Sequence, residues 1–247
     1  MNKNSQNLKK QIKSWWSNHS QDYVNPGEED HLGINNKLND KELKKILDKN
    51  DNNFYLDAYF AQNNNDRFFE NLMPKSLKNK RVLEIGCGLG YHTECLIKRK
   101  ANLTSIDLAP MSVDITKRRL NIKKLNAKVL ECDAENLPFS DNYFDVVWSW
   151  GVIHHSPDTK KCSKEIERVL KKEGKLFIML YNRNSMYNWL NVIVRYGVLQ
   201  GKLFEMSIQE LRNRYTDGKK KSGAPLSKYF TRNEVKNYLF PNFQITT

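Results

Sequence analysis

The chain has 247 residues, of which 39% are hydrophobic and 28% charged, a composition typical of one globular α/β domain and unlike that of a disordered or membrane-spanning chain. The formal net charge is +13, but the lysines are scattered, which favours solvated helix faces over a nucleic-acid-binding surface. The four cysteines show no CxxC pair and no zinc spacing. They indicate free thiols in a reducing compartment, and we expect a cytoplasmic protein without a metal site.

Residues 1–79 are predicted to form an N-terminal helical cap. Apolar side chains recur at helical spacing near residues 8–18, 40–48 and 54–72, and a polar loop covers residues 22–31. No apolar signal segment precedes the first helix. The aromatic side chains of the cap suit an apolar or ring-containing ligand, and we expect Tyr23 and Tyr59 to line a substrate pocket.

The most informative segment follows the cap. An apolar run ends in Glu84 and then turns through closely spaced glycines. Glycine carries no Cβ and adopts positive φ angles, so a ligand can lie almost on the backbone. Asp107 closes a second apolar run about 20 residues further on, which is the pattern of a Rossmann-like β-turn-α unit that holds an adenosine-containing cofactor. A carboxylate at the end of the first strand would repel a pyrophosphate and suits a cofactor with a cationic centre and a free amino group.

The run from Val82 to Gly90 resembles motif I of class I S-adenosylmethionine-dependent methyltransferases. The similarity continues in the family's order through residues 105–108, 131–139, 142–155 and 166–177. It implies a Rossmann-like, doubly wound α/β fold with a mainly parallel sheet and helices on both faces. It also implies S-adenosylmethionine as cofactor, with S-adenosylhomocysteine as product. On the family pattern, the cofactor-binding residues are Glu84, Gly86, Cys87, Gly88, Gly90, Asp107 (to the ribose), Leu108, Asp133 and Ala134 (to the adenine edge) and Ser149.

His154 and His155 follow the predicted fourth strand, at the sheet edge where open α/β folds bind ligands. An imidazole suits the role of general base, so we predict a catalytic role for this pair, against the alternative that one of them only bonds backbone or lines the cofactor pocket. Trp150 and Tyr181, at the ends of the fourth and fifth strands, are expected to face the acceptor. The strand end lacks the Pro-Pro turn of methyltransferases that act on adenine or amide nitrogens.

The remaining chain divides into three parts. A core over residues 80–182 is followed by a lid or insertion over residues 183–230, which contains an amphipathic stretch at 186–196. Residues 231–247 are predicted to form a helix and, from Phe243, the start of a sixth strand. The family usually continues through sixth and seventh strands, so we expect either truncation at the C-terminal strands or an abbreviated sheet.

The sequence therefore predicts a methyltransferase that acts on a small-molecule acceptor by in-line displacement, with O- or C-methylation ahead of N-methylation. It resembles the group that includes quinone-pathway methyltransferases. Two alternatives remain open: an RNA or protein methyltransferase, motivated by the charge, and a catalytically silent cofactor-binding protein. The amphipathic stretch contains no transmembrane segment and is compatible with peripheral contact with a membrane surface. The sequence does not indicate an oligomeric state.

Overall fold

A computed structural model describes residues 3–19, 38–52, 72–217 and 223–244. Several predictions fall outside these residues: the polar loop at 22–31, most of the third cap helix, the pocket residues Tyr23 and Tyr59, and the last three residues of the chain. Those predictions remain predictions.

The fold is organised by one parallel sheet of five strands in the order β3-β2-β1-β4-β5. The strands are β1 Arg81–Ile85, β2 Asn102–Asp107, β3 Lys128–Glu131, β4 Phe144–Trp150 and β5 Leu170–Met179. The predicted parallel α/β sheet is confirmed. Strand order reverses beside β1, because the chain winds outward through β2 and β3 and then returns to β4. The ends of β1 and β4 therefore form the switch point at which doubly wound sheets bind ligands.

Helices cover both faces of the sheet, as predicted. They are α1 Lys3–Asn18, α2 Asp40–Asn50, α3 Tyr91–Lys98, α4 Pro110–Lys123, α5 Thr159–Val169, the π-type α6 Tyr187–Leu199, α7 Ile208–Tyr215 and the short α8 Arg232–Glu234, which continues as a π-type turn Val235–Leu239. Adjacent residues of β1 show the two layers. Leu83 packs with Val169 and Phe240 on one face, whereas Val82 packs with Leu96 on the other.

The helical segments differ in detail from the sequence prediction. Helix α1 begins at Lys3 rather than near residue 8. Helix α2 extends to Asn50 and begins at a capping box, in which the Asn39 side chain accepts from the Glu42 backbone N–H and the Glu42 side chain accepts from that of Asn39. The expected strand beginning at Phe243 is wrong for the two residues that the structure describes. The Phe243 ring packs edge-on against Phe240 with ring centroids 5.3 Å apart, which turns the chain toward the core instead of extending it.

No helix within the described ranges is long and apolar enough to cross a membrane. Cys87, Cys95, Cys132 and Cys162 are all free thiols. Across the same part of the chain, no group of histidine, cysteine, aspartate or glutamate side chains is arranged as a metal site.

A buried ion cluster joins the cap to the sheet domain. Arg119 of α4 is 1% exposed. Its guanidinium donates to both oxygens of Asp51, at 2.5 and 3.0 Å, and to Oε2 of Glu94 at 2.7 and 3.0 Å. The Arg119 side chain therefore links the end of α2 to α3 and α4. Its removal would leave the carboxylates of Asp51 and Glu94 without their buried positive partner.

We expect Arg119→Met to lower the free energy of unfolding by about 3–5 kcal/mol, because it leaves buried carboxylates without their positive partner. The neighbouring substitution Arg118→Met removes a guanidinium whose partner, Asp40, is 69% exposed, and it should cost about 1 kcal/mol or less. Urea unfolding followed by circular dichroism measures both. Equal costs for the two variants would show that the buried cluster is not a structural tie.

Candidate active site

The glycine loop between β1 and α3 is shaped by its backbone. Gly86, Gly88 and Gly90 have φ angles of +84°, +53° and +79°, a region that side chains other than glycine rarely adopt. A Cβ on Gly86 would lie 2.2 Å from Cγ2 of Val152. The loops after β1 and β4 can approach this closely only because residue 86 is glycine.

Asp107, at the end of β2, closes the same loop. Its Oδ2 accepts from the Gly88 N–H at 3.0 Å and its Oδ1 from the Ala109 N–H at 2.9 Å. Burial raises the pKa of this carboxyl, and the hydrogen bonds from backbone N–H groups act against that rise. The side chain is thus held at the loop by two backbone donors.

A cavity of about 660 Å³ opens at the carboxyl ends of the strands. The predicted cofactor-binding residues that line it are Gly86, Cys87, Gly88, Asp107, Leu108, Asp133 and Ala134. The three others are buried beneath its wall: Glu84, Gly90 and Ser149. The cavity wall also includes His155 and the predicted pocket residues Trp150 and Tyr181. The structure therefore brings most of the predicted site together.

Helix α1 is fastened over one end of the cavity by a lysine that sequence analysis did not single out. Lys9 Nζ donates to Oδ2 of Asp133 at 2.6 Å and to Oε2 of Glu135 at 2.5 Å. Burial acts to lower the pKa of Lys9, but the bonds and charges of the two carboxylates outweigh it and the pKa is raised. Lys13, one turn further along α1, bonds to Glu131 at the end of β3. No local pattern marks these lysines among the many in the chain.

Glu84 is a buried carboxylate at the end of β1. Its Oε2 accepts from the hydroxyls of Thr93 and Ser105, both at 2.6 Å. Its Oε1 has no hydrogen-bond partner among the described residues. Burial raises the pKa of Glu84 to about 7, partly offset by the two hydroxyl donors. The expected cofactor ligand is thus a half-satisfied acid behind the cavity wall, close to the glycine loop.

The two histidines after β4 occupy different environments. His154 is fully buried, and burial together with neighbouring His155 holds its pKa well below the usual value. The cavity wall contains His155 but not His154. Nδ1 of His155 lies 2.6 Å from the carbonyl oxygen of Leu226. Because a carbonyl can only accept, Nδ1 is assigned the proton, and in the neutral ring Nε2 keeps its lone pair.

The wall around His155 is aromatic and contains one carboxylate that sequence analysis missed. The Trp16 and Tyr181 rings lie edge-on to the His155 ring, with centroids 4.9 and 6.1 Å away. The hydroxyl of Tyr181 donates to Oδ1 of Asp217, which follows α7. Nε2 of His155 has no hydrogen-bond partner among the described residues and lies 3.8 Å from Oδ2 of Asp217. Asp217 lies 62 residues from His155 in sequence, so only the fold pairs them.

Residues 83–178 match the protein family described as "Methyltransferase domain". These residues form a class I S-adenosylmethionine-dependent methyltransferase domain. S-adenosylmethionine is the cofactor of this domain type, and the residues present fit it. Gly86, Cys87 and Gly88 of the glycine loop line the cavity, and the unpartnered Oε1 of Glu84 behind them suits the positive charges of such a ligand.

Similar proteins agree on this domain but not on one acceptor. The ubiquinone biosynthesis O-methyltransferase of Coxiella burnetii is 33% identical over 109 residues, 44% of this chain and 47% of the relative. The malonyl-[acyl-carrier protein] O-methyltransferase of Halorhodospira halophila is 27% identical over 154 residues, 62% and 48% of the two chains. A solved S-adenosylmethionine-dependent methyltransferase from Aquifex aeolicus is 23% identical and covers 60% of this chain and 76% of its own, with a TM-score of 0.46. The chain spans about half the length of the curated relatives it matches.

The methyltransferase domain should lose stability as its buried acid ionises. A carboxyl whose pKa is higher in the folded than in the unfolded chain keeps its proton longer when folded. The contribution of Glu84 to the free energy of unfolding is therefore fully present below pH 4.5 and is lost as the pH rises through about 7. Glu84→Gln retains an acceptor for both hydroxyls. We expect its free energy of unfolding, relative to that of wild type, to be about 2–3 kcal/mol higher at pH 8 than at pH 5.

Urea unfolding of the ligand-free protein at the two pH values measures this difference. The exposed substitution Glu173→Gln is the control and should show no such pH dependence. An unchanged pH profile in Glu84→Gln would mean that this carboxyl is already ionised in the folded protein at neutral pH.

Proposed function

We propose that this protein transfers a methyl group from S-adenosylmethionine to a hydroxyl of a small-molecule acceptor. The observation that carries the proposal is the shared cavity: the glycine loop and Asp107 line it, and so does His155 with an available Nε2. The names of two of the similar proteins, each an O-methyltransferase, support O-methylation. C-methylation is the alternative, since a sterol 4-C-methyltransferase of Caenorhabditis elegans is 31% identical over 103 residues.

The cofactor-binding roles follow from position in the cavity. Asp107 accepts hydrogen bonds from the ribose hydroxyls, and Asp133 with the backbone N–H of Ala134 binds the adenine edge. The glycine loop leaves room for the methionine portion. Glu84, behind that loop, supplies negative potential toward the sulfonium and ammonium groups, because a charge in a poorly solvated position acts at longer range than one in water.

S-adenosylmethionine supplies, when bound, a methyl group activated by its sulfonium. His155 Nε2 accepts the proton of the acceptor hydroxyl while the oxygen forms its bond to the methyl carbon. With the cofactor held by the glycine loop, Asp107 and Asp133, its sulfur would keep the electron pair of the bond to the transferred methyl group, so that S-adenosylhomocysteine and a protonated His155 would be the products. Alignment in the cavity would contribute an effective molarity of about 10⁵–10⁸ M, and the base about 10²–10⁴-fold.

Two variants test the cofactor and acceptor halves separately. We expect Asp107→Ala to weaken S-adenosylhomocysteine binding in isothermal titration by about tenfold or more, since two ribose hydroxyls lose their acceptor. His155→Gln should bind the product as wild type does but lower kcat by about 10²-fold in assays with phenols and quinols.

Asp141→Ala, which removes a surface carboxylate, is the control for both measurements. Wild type that binds no S-adenosylhomocysteine contradicts the proposal. Wild type that binds it but methylates no acceptor favours a silent cofactor-binding protein, and full activity in His155→Gln contradicts the role of the base.

Lys9 bonds to Oδ2 of Asp133, the carboxylate proposed for the adenine amino group, so it competes with the cofactor for that acceptor. We expect Lys9→Met to tighten S-adenosylhomocysteine binding about tenfold, because a charge-assisted bond no longer competes. Lys10→Met removes an exposed ammonium from the adjacent position of the same helix and should leave the affinity unchanged. Weaker binding by Lys9→Met would show instead that Lys9 holds the cofactor site together.

The four free thiols support the cytoplasm as the location of this reaction. A cavity of about 660 Å³ also suits a small molecule better than RNA as the acceptor, despite the net charge of +13.

A further inference from the structure

Asp217 is an almost fully buried carboxylate in the wall of the acceptor end of the cavity. Its side chain is 2% exposed. Oδ1 accepts from the Tyr181 hydroxyl, and Oδ2 accepts from the Ser227 hydroxyl at 3.0 Å. The insertion after β5 thus delivers a negative group to the cavity and two hydroxyls hold it in place.

The described partners of Asp217 carry no fixed positive charge. They are two hydroxyls and the imidazole of His155, whose Nδ1 proton is committed to the Leu226 carbonyl. Within the described residues, no lysine or arginine lies within 4.0 Å of this carboxylate. The two hydroxyl donors satisfy oxygens of the buried carboxylate but do not balance its negative charge, so this end of the cavity favours a neutral or cationic ligand over an anionic one.

The carboxylates beside α1 are balanced differently, because Asp133 and Glu135 share the ammonium of Lys9. Two tyrosines lie near Asp217 instead of an ammonium group. The pKa of Tyr229 is raised to about 12, mainly by burial, and the charge of Asp217 adds to the rise. Tyr187, which also lines the cavity, has a raised pKa from burial first and from Asp217 among the smaller causes.

We propose that Asp217 selects the acceptor by charge: this pocket takes hydroxyl-bearing acceptors that are otherwise neutral or cationic and rejects anionic ones. The inference rests on the proposed function, which places the acceptor in this cavity. It runs against the net charge of +13, which by itself predicts attraction of anions. Charges on the solvated surface are screened within about 10 Å at 0.1 M salt, whereas Asp217 lies in the poorly solvated wall.

Three phenols of one shape and different charge test the proposal: tyramine (cationic), 4-ethylphenol (neutral) and 4-hydroxyphenylacetate (anionic). Their binding to the protein saturated with S-adenosylhomocysteine is measured by isothermal titration, so no turnover is needed. We expect wild type to bind the first two about tenfold or more tighter than the anion. Asp217→Asn, which keeps the shape, should weaken tyramine and strengthen 4-hydroxyphenylacetate, each by about tenfold.

Two control variants separate charge selection from other causes. Glu205→Gln removes one exposed carboxylate from the same insertion and should leave the order of the three phenols unchanged. Ser227→Ala removes a hydrogen bond to Asp217 but keeps its charge, and should also retain the order. An equal change in Glu205→Gln would assign the effect to net charge and overturn the proposal.

The wild-type protein alone also decides the matter if Asp217→Asn does not fold. Binding of 4-hydroxyphenylacetate as tightly as tyramine overturns charge selection, and so does a failure of all three phenols to bind. Failure of the proposed function is a separate result: it is the absence of methyl transfer, whatever the order of binding.

Discussion

The close approach of two loops is the constraint on which the site depends. Gly86 lies against Val152 so closely that a Cβ would stand 2.2 Å from a methyl carbon. This contact holds the loop after β1 beside the loop after β4, at the point where the strand order reverses. The glycine loop and His155 share one cavity for that reason. A sheet with the same strands but a bulkier residue 86 would push the two halves of the site apart.

Electrostatics inside the cavity differ from those of the surface. The chain carries a net charge of +13, yet four carboxylates and only two lysines are among the described residues that line the cavity. Lys9 pairs with Asp133 and Glu135 near β3, whereas the partners of Asp217 among the described residues are two hydroxyls and an imidazole. Glu84 lies beneath the wall with one oxygen unpaired. The cavity therefore has the negative charge that suits a positively charged cofactor, although the composition of the whole chain is strongly basic.

Local rules predicted most of the sheet. Strand, turn and helix alternate in the core, and that alternation dictates a parallel sheet with helices on both faces. Element boundaries were predicted less accurately. Helix α2 runs to Asn50, beyond its predicted end, and the expected strand at Phe243 gives way to a ring contact with Phe240. Both differences depend on packing at the ends of elements, which hydrophobic periodicity does not encode.

The sequence by itself determined the domain type, because a glycine loop, a strand-ending Glu84 and a strand-ending Asp107 are each local patterns with a direct physical purpose. It also brought His154 and His155 to the right edge of the sheet. Tertiary structure decided which of them faces the cavity, because His154 is buried away from the cavity wall. The Leu226 carbonyl accepts from Nδ1 of His155 and so places the proton on that nitrogen. The partnerships of Lys9 and Asp217 likewise required the fold, since one joins residues 124 positions apart and the other joins an insertion to the end of β4. Contacts of that range leave no periodic or compositional signal in a single chain.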